Sequence, residues 1–149
     1  MTGKQRRVLA IVATDRTFEP SRHGTTPVWV GACIHCRSPV TVDVHGTPVS
    51  AATIEHIWPQ RHGGDNDLDN LALACGRCNR GKGQRHDVRP RGDARLLEIV
   101  EDLRRRRRER WRDPPDELAS HVVWARAQMA PAPEAAPDAE PPPARRRRR

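Results

Sequence analysis

Apolar residues in the first half of the chain come in short runs, each bounded by glycine, proline or charged residues. Runs of this length that contain β-branched residues predict strands. A further run, at residues 8–12, follows two arginines, and its pattern fits either a strand or one helical turn. We predict strands at residues 28–30, 40–44, 52–57 and 71–74.

Beyond residue 90 the apolar spacing becomes that of an amphipathic helix. Leucine, isoleucine and valine recur at intervals of three and four over residues 93–112, while the remaining positions are charged. A pair of prolines ends this helix, and Asp116 is placed to cap a second one that continues to residue 129. Residues 130–149 consist mainly of alanine, proline, acid and arginine, and we expect a disordered tail there.

The composition indicates a small folded core and an anionic partner. Only 3% of the 149 residues are aromatic and 14 are proline, and a core of that kind usually needs a staple such as a metal site. The net charge of +8, carried almost wholly by arginine, predicts binding to nucleic acid or to an acidic membrane surface. A GC-rich genome is the alternative source of the arginine, alanine and proline.

No apolar run is long enough to cross a membrane or to form the core of a secretory signal. We therefore expect a cytoplasmic protein that makes no use of a membrane. In that compartment cysteines are more often metal ligands than disulfide partners.

All four cysteines occur in two Cys-x-x-Cys pairs, Cys33 with Cys36 and Cys75 with Cys78. Two intervening residues let one tight turn aim both sulfurs at one ion, and two such turns complete a tetrahedral Zn²⁺ site. Because all four ligands come from the protein, this zinc would be structural. Disulfides or a dithiol redox motif are the alternatives, and a cytoplasmic chain with no spare cysteine disfavours both.

Further polar residues lie between and beside these pairs in a recognisable order. Glu55 and His56 precede Ile-Trp-Pro, a Gly-Gly pair follows, then Asn70 with a leucine, and residues 75–82 read Cys-Gly-Arg-Cys-Asn-Arg-Gly-Lys. Over residues 28–85 this order resembles the HNH endonuclease family, in its subgroup with paired Cys-x-x-Cys motifs.

The resemblance implies an α+β chain built on the ββα-metal (His-Me finger) fold, a β-hairpin followed by a helix around one divalent ion. It implies that His56 is the general base that takes a proton from the attacking water. Glu55 and Asn79 would hold the catalytic ion through oxygen atoms, and Asn70 would brace the hairpin loop and so orient His56.

The chemistry of these residue types agrees with those roles. An imidazole with an unperturbed pKa near ~6.5 suits a general base, and a divalent cation relieves charge on the phosphate. Carboxylate and amide oxygens favour Mg²⁺ or Mn²⁺ over zinc, so the chain would use two kinds of metal. Neighbours on a regular strand point to opposite faces, so Glu55 and His56 can share a site only where the strand is irregular or ends.

Basic side chains near the second cysteine pair and in the helix over 93–112 are candidates for contact with DNA. A helix rich in arginine can lie along a groove and neutralise phosphates without reading sequence. The alternative is a solvated helix face partly paired with acidic residues. The candidates are Lys82, Arg80, Arg104, Arg105, Arg107 and Arg108.

These patterns together predict a metal-dependent endonuclease that hydrolyses phosphodiester bonds, with double-stranded DNA as the expected substrate. The resemblance implies products with 5′-phosphate and 3′-hydroxyl ends, in a phage, restriction or mobile-element setting, of which the short chain slightly favours the phage. The alternative is a non-catalytic zinc-ribbon module that binds nucleic acid, which would need none of Glu55, His56 and Asn79. The predicted division is a basic arm (1–24), a zinc-stapled nuclease domain (25–90), a basic helical extension (91–129) and the tail (130–149).

Overall fold

The computed structural model describes residues 1–50 and 52–129, which form an α+β fold with two small antiparallel sheets. This architecture confirms the predicted fold class; the predicted tail lies outside the described residues. The helices and strands, in chain order, are α1 (Gly3–Thr14), β1 (Glu19–His23), β2 (Thr26–Ala32), β3 (Pro39–Asp43), β4 (Ala52–His56), β5 (Leu71–Cys75), α2 (Gly76–Lys82), α3 (Ala94–Arg110) and α4 (Ala119–Met129).

Helix α1 is a central element of the core. Its start is fixed by a capping box, in which the Gln5 backbone N–H donates to Thr2 Oγ1 and the Thr2 backbone N–H donates to Gln5 Oε1. Every residue from Val8 to Thr14 is buried, and the helix packs against α4 and β5. The apolar run at 8–12 is therefore helical, and segment 1–24 contributes to the core where a basic arm was expected.

The first sheet places three strands in the order β1-β2-β3. Strands β2 and β3 contain the runs predicted at 28–30 and 40–44. Strand β1 was not predicted, because all five of its residues are exposed and its sequence carries no apolar alternation.

The second sheet and the helix after it form the unit on which the site is built. Strands β4 and β5 pair antiparallel, with Glu55 opposite Ala72 and His56 opposite Leu71. Helix α2 follows β5 directly, packs on β4, and continues as one π-helical turn over Gly83–Asp87. A hairpin followed by a helix is the ββα order that the resemblance implied.

Helix α3 begins where expected and is tied to the rest of the core at its far end. Asp93 caps it, its Oδ1 accepting the N–H groups of the first turn at 3.0 Å. Near its end, Arg107 donates to the Thr14 carbonyl at 3.0 Å, and Arg112, just beyond the helix, donates to the Val12 carbonyl at 2.9 Å. Cationic groups thus satisfy the last carbonyls of α1, where the helix dipole favours positive charge. In the described part of the chain, no helix has the length and apolar character needed to span a bilayer.

Candidate metal centre and active site

Four cysteine side chains converge where the loop before β3 meets the start of α2. Their Sγ atoms all lie within 4.8 Å of one another, and those of Cys36 and Cys75 are 3.9 Å apart. A tetrahedral site with Zn–S near ~2.3 Å separates its sulfurs by about 3.8 Å, whereas a disulfide needs about 2.0 Å. Since none of the four is in a disulfide, they fit a zinc knuckle as predicted.

Local hydrogen bonds prepare these sulfurs for an ion. The backbone N–H of Cys75 donates to Cys33 Sγ at 3.3 Å, and that of Cys78 donates to Cys75 Sγ at 3.5 Å. Hydrogen bonds from Ser38 lower the pKa of the Cys36 thiol to about 6. Burial raises the pKa of Cys33 and brings that of Cys78 to about 12. Four adjacent thiols resist ionising together, and a bound cation removes that resistance by taking them as thiolates.

Glu55 is a buried carboxylate held between two basic side chains. It is 1% exposed, with Oε1 lying 2.8 Å from Nζ of Lys82 and Oε2 lying 3.0 Å from Nε2 of His35. Lys82, 3% exposed, also donates to Asp87 Oδ1 at 2.7 Å and to the His56 carbonyl at 3.0 Å. The prediction that Lys82 contacts DNA does not agree with this placement, because its ammonium is spent inside the protein on joining α2 to β4.

Asn79 lies on the same side of β4 as Glu55. Its Nδ2 donates to Thr53 Oγ1 at 2.9 Å and to the Ile54 carbonyl at 3.2 Å, and Thr53 shares a strand face with Glu55. A carboxylate has about four acceptor positions, of which the contacts to Lys82 and His35 use two. The oxygen donors therefore suit a hard divalent ion, with Lys82 as a competing cation beside Glu55.

His56 is the last residue of β4, and its side chain reaches the loop of the hairpin. Its Nε2 lies 2.9 Å from Oδ1 of Asn66, and the residue is half-buried. Glu55, one position earlier, contacts α2. The two neighbours diverge because both are regular paired positions of the strand.

Asn70 closes the hairpin loop on itself. Its Oδ1 accepts the Trp58 N–H at 2.7 Å, and its Nδ2 donates to the carbonyls of Trp58 at 3.2 Å and Asp65 at 3.0 Å. The glycine pair permits this, since Gly63 has φ +93° and a Cβ on Gly64 would lie 1.8 Å from the Trp58 carbonyl oxygen. These contacts are of the kind that a bracing role for Asn70 requires.

Asn66 was not singled out by sequence reasoning. It stands in a polar loop of asparagines and aspartates, residues that ordinarily serve turns. The one available signal was its place between the glycine pair and Asn70, in the loop that returns past the end of β4.

Arg107 occupies the interior. It is 1% exposed and donates to the Thr14 hydroxyl at 2.7 Å and to the Leu68 carbonyl at 3.2 Å, with its guanidinium 4.7 Å from the centre of the Trp111 ring. Burial lowers the pKa of Arg107 to about 10, so it stays charged at neutral pH. It cannot reach a phosphate, and its predicted DNA contact is corrected to a structural role because its donors face buried carbonyls.

The other predicted arginines are exposed: Arg80 on α2, and Arg104, Arg105 and Arg108 on α3. Arg105 pairs with Asp102, and Arg108 lies 3.4 Å from Glu101. Arg104 forms no salt bridge within residues 1–50 and 52–129, and it lines a shallow cavity of about 260 Å³ with residues of the hairpin loop. It is thus the arginine of α3 best placed for an anion near that loop.

Comparison with known proteins identifies one family. The model of the HNH endonuclease family matches residues 33–85, which include both cysteine pairs, the β4–β5 hairpin and α2. This match confirms the resemblance seen in the motifs. No curated protein and no solved structure matches the chain.

Proposed function

We propose that the HNH segment, residues 33–85, is the catalytic unit of a metal-dependent endonuclease that hydrolyses DNA phosphodiester bonds. The observation that carries this proposal is the coincidence of the family match with the ββα unit that holds His56, Asn70 and Asn79. A net charge of +8 supports a polyanionic substrate. A phage-encoded or restriction-type enzyme would fit such an activity.

In this proposal His56 removes a proton from a water molecule as the water oxygen attacks phosphorus. The bond from phosphorus to the 3′ oxygen breaks, which leaves a 5′-phosphate and a 3′-hydroxyl. Glu55 and Asn79 would hold a Mg²⁺ or Mn²⁺ ion, which when bound acts as a Lewis acid on the phosphate and leaving oxygens. Asn70 keeps the loop closed beside His56.

The zinc knuckle has a structural part in this account. Cys33 and Cys36 precede β3, and Cys75 and Cys78 lie at the start of α2, so one Zn²⁺ would fasten the first sheet to the catalytic hairpin. His35, between the first two ligands, contacts Glu55. Loss of zinc would therefore disturb the active-site strand as well as the fold.

Exposed arginines would hold the DNA backbone. Arg104 and Arg108 are one helical turn apart on α3 and line a common cavity of about 360 Å³ next to the hairpin loop, and Arg80 is exposed on α2. Contacts of this kind neutralise phosphates and position the duplex without reading its sequence.

Cleavage of supercoiled plasmid with Mg²⁺, Mn²⁺ or EDTA tests the proposal. The wild-type chain should nick or linearise the plasmid with a divalent ion and not with EDTA. Asn79→Ala should need more metal and recover partly at high concentration, because it loses a ligand. The matched control is Gln60→Ala, which removes an exposed amide and should respond to metal as the wild type does. A zinc-loaded chain that binds DNA but cuts with no divalent ion would establish the zinc-ribbon binder instead.

A further inference from the structure

We propose that Asn66 is a positioning residue that holds the imidazole of His56 with its Nε2 protonated, so that Nδ1 is the atom that takes the proton. The inference deepens the proposed function and rests on it for the catalytic step. The tautomer itself can be observed without any cleavage.

The contact between the two side chains carries the inference. Asn66 Oδ1 lies 2.9 Å from His56 Nε2, within ordinary hydrogen-bond distance. An amide oxygen only accepts, and a neutral imidazole has one donor nitrogen and one acceptor nitrogen. Nε2 must then carry the hydrogen, and the lone pair is on Nδ1.

Nδ1 is the nitrogen left for a water molecule. Within residues 1–50 and 52–129 it has no hydrogen-bond partner, whereas Nε2 has one. A base whose second nitrogen is fixed by a third group is a recurrent catalytic arrangement, since the third group sets both the tautomer and the ring orientation.

The loop that presents Asn66 is anchored on both sides of it. Before it, the Asp65 carbonyl accepts from Nδ2 of Asn70 at 3.0 Å. After it, the carbonyl of the buried Leu68 accepts from Arg107 at 3.2 Å. Asn70 would thus orient His56 indirectly, through Asp65 and Asn66.

The backbone of His56 is held from the other side. Lys82 Nζ donates to the His56 carbonyl at 3.0 Å, and the next residue, Ile57, donates its N–H to the Asn70 carbonyl at 2.9 Å. With main chain and ring both fixed, Asn66 is the contact that decides which nitrogen is presented.

The first test is a nuclear magnetic resonance measurement on zinc-loaded protein with ¹⁵N-labelled histidine. At about pH 8.5 a free imidazole is neutral, and a long-range ¹H–¹⁵N spectrum then separates protonated from unprotonated ring nitrogens. The His56 signals are identified by their loss in His56→Ala. We expect Nε2 to be protonated and Nδ1 unprotonated. The reverse assignment would overturn the proposal.

The second test compares variants on supercoiled plasmid with Mg²⁺ or Mn²⁺. Asn66→Ala should lower kcat by about 10- to 100-fold with little change in DNA affinity, because a misplaced catalytic group costs on the order of 10²-fold. Asn66→Asp retains an acceptor oxygen and should recover most of that loss and keep the tautomer. Gln60→Ala, an exposed amide nearby, is the matched control.

Two outcomes of the second test would contradict the role of Asn66: cleavage by Asn66→Ala at the wild-type rate, or cleavage by Asn66→Asp as slow as by Asn66→Ala. A wild-type chain that never cuts would instead remove the proposed function. The spectrum would still decide the tautomer in that case, so the two failures are distinguishable.

Discussion

Replacing Lys82 with methionine should destabilise the protein severely, although lysine is usually a surface residue. The side chains of Lys82 and Glu55 are 2% and 1% exposed, and their charged atoms are 2.8 Å apart. Methionine fills a similar volume but supplies no charge. Glu55 would lose its cationic partner on α2, and the His56 carbonyl and Asp87 would lose a donor.

The expected loss follows from what remains buried. Removing one partner of a buried ion pair costs about 3–5 kcal/mol, mainly because the other charge is left uncompensated. Total stabilities of small domains are about 5–15 kcal/mol, so the variant would be marginal. With a urea m-value of about 1.5 kcal/mol per molar, the midpoint should fall by about 2–3 M.

The assay is equilibrium urea unfolding followed by circular dichroism, with zinc held at one free concentration in every sample because metal binding shifts apparent stability. Lys4→Met is the matched control: Lys4 is the only other lysine and is exposed, so its change should stay within about 0.5 kcal/mol. In the double variant Lys82→Met with Glu55→Gln the losses should not add, with a coupling of about 1–3 kcal/mol. Equal midpoints for Lys82→Met and Lys4→Met would refute the buried-pair reasoning.

Two further predictions follow from the cysteine cluster and from the arginines of α3. Cys75→Ser should abolish stoichiometric zinc in metal analysis and unfold the domain, since structural zinc supplies of order ~10 kcal/mol of folding free energy; a sharp thermal transition in a zinc-free variant would contradict this. Arg104→Ala with Arg108→Ala should weaken binding of all DNA sequences alike and reduce the log–log salt slope by about 0.9 per lost phosphate contact, with Arg22→Ala on exposed β1 as control; an unchanged slope would show that neither arginine meets DNA.

Local patterns predicted the parts of the fold that depend on near neighbours. Alternating or clustered apolar residues located β2 to β5, helical spacing located α3, and the two Cys-x-x-Cys pairs predicted the metal cluster. Helix α1 was ambiguous, since the apolar run at 8–12 is short and β-branched, and its burial against α4 is a long-range contact.

The placement of charged residues could not be predicted in the same way. Lys82 and Arg107 look like members of solvated basic segments, yet each is buried by partners distant in sequence, Glu55 for the first and Thr14 for the second. The contact of Asn66 with His56 likewise depends on how the loop folds back over the end of β4. Such pairings follow from tertiary packing, which residue type and spacing do not encode individually.

Plasmid cleavage by His56→Ala tests the central claim most directly. Its rate should be measured beside His45→Ala, a variant of an exposed histidine in the turn after β3, on samples with equal zinc content and DNA affinity. If His56 is the general base, His56→Ala should cut about 10²- to 10⁴-fold more slowly while His45→Ala cuts like the wild type. Cleavage by His56→Ala at the rate of His45→Ala would contradict the assignment.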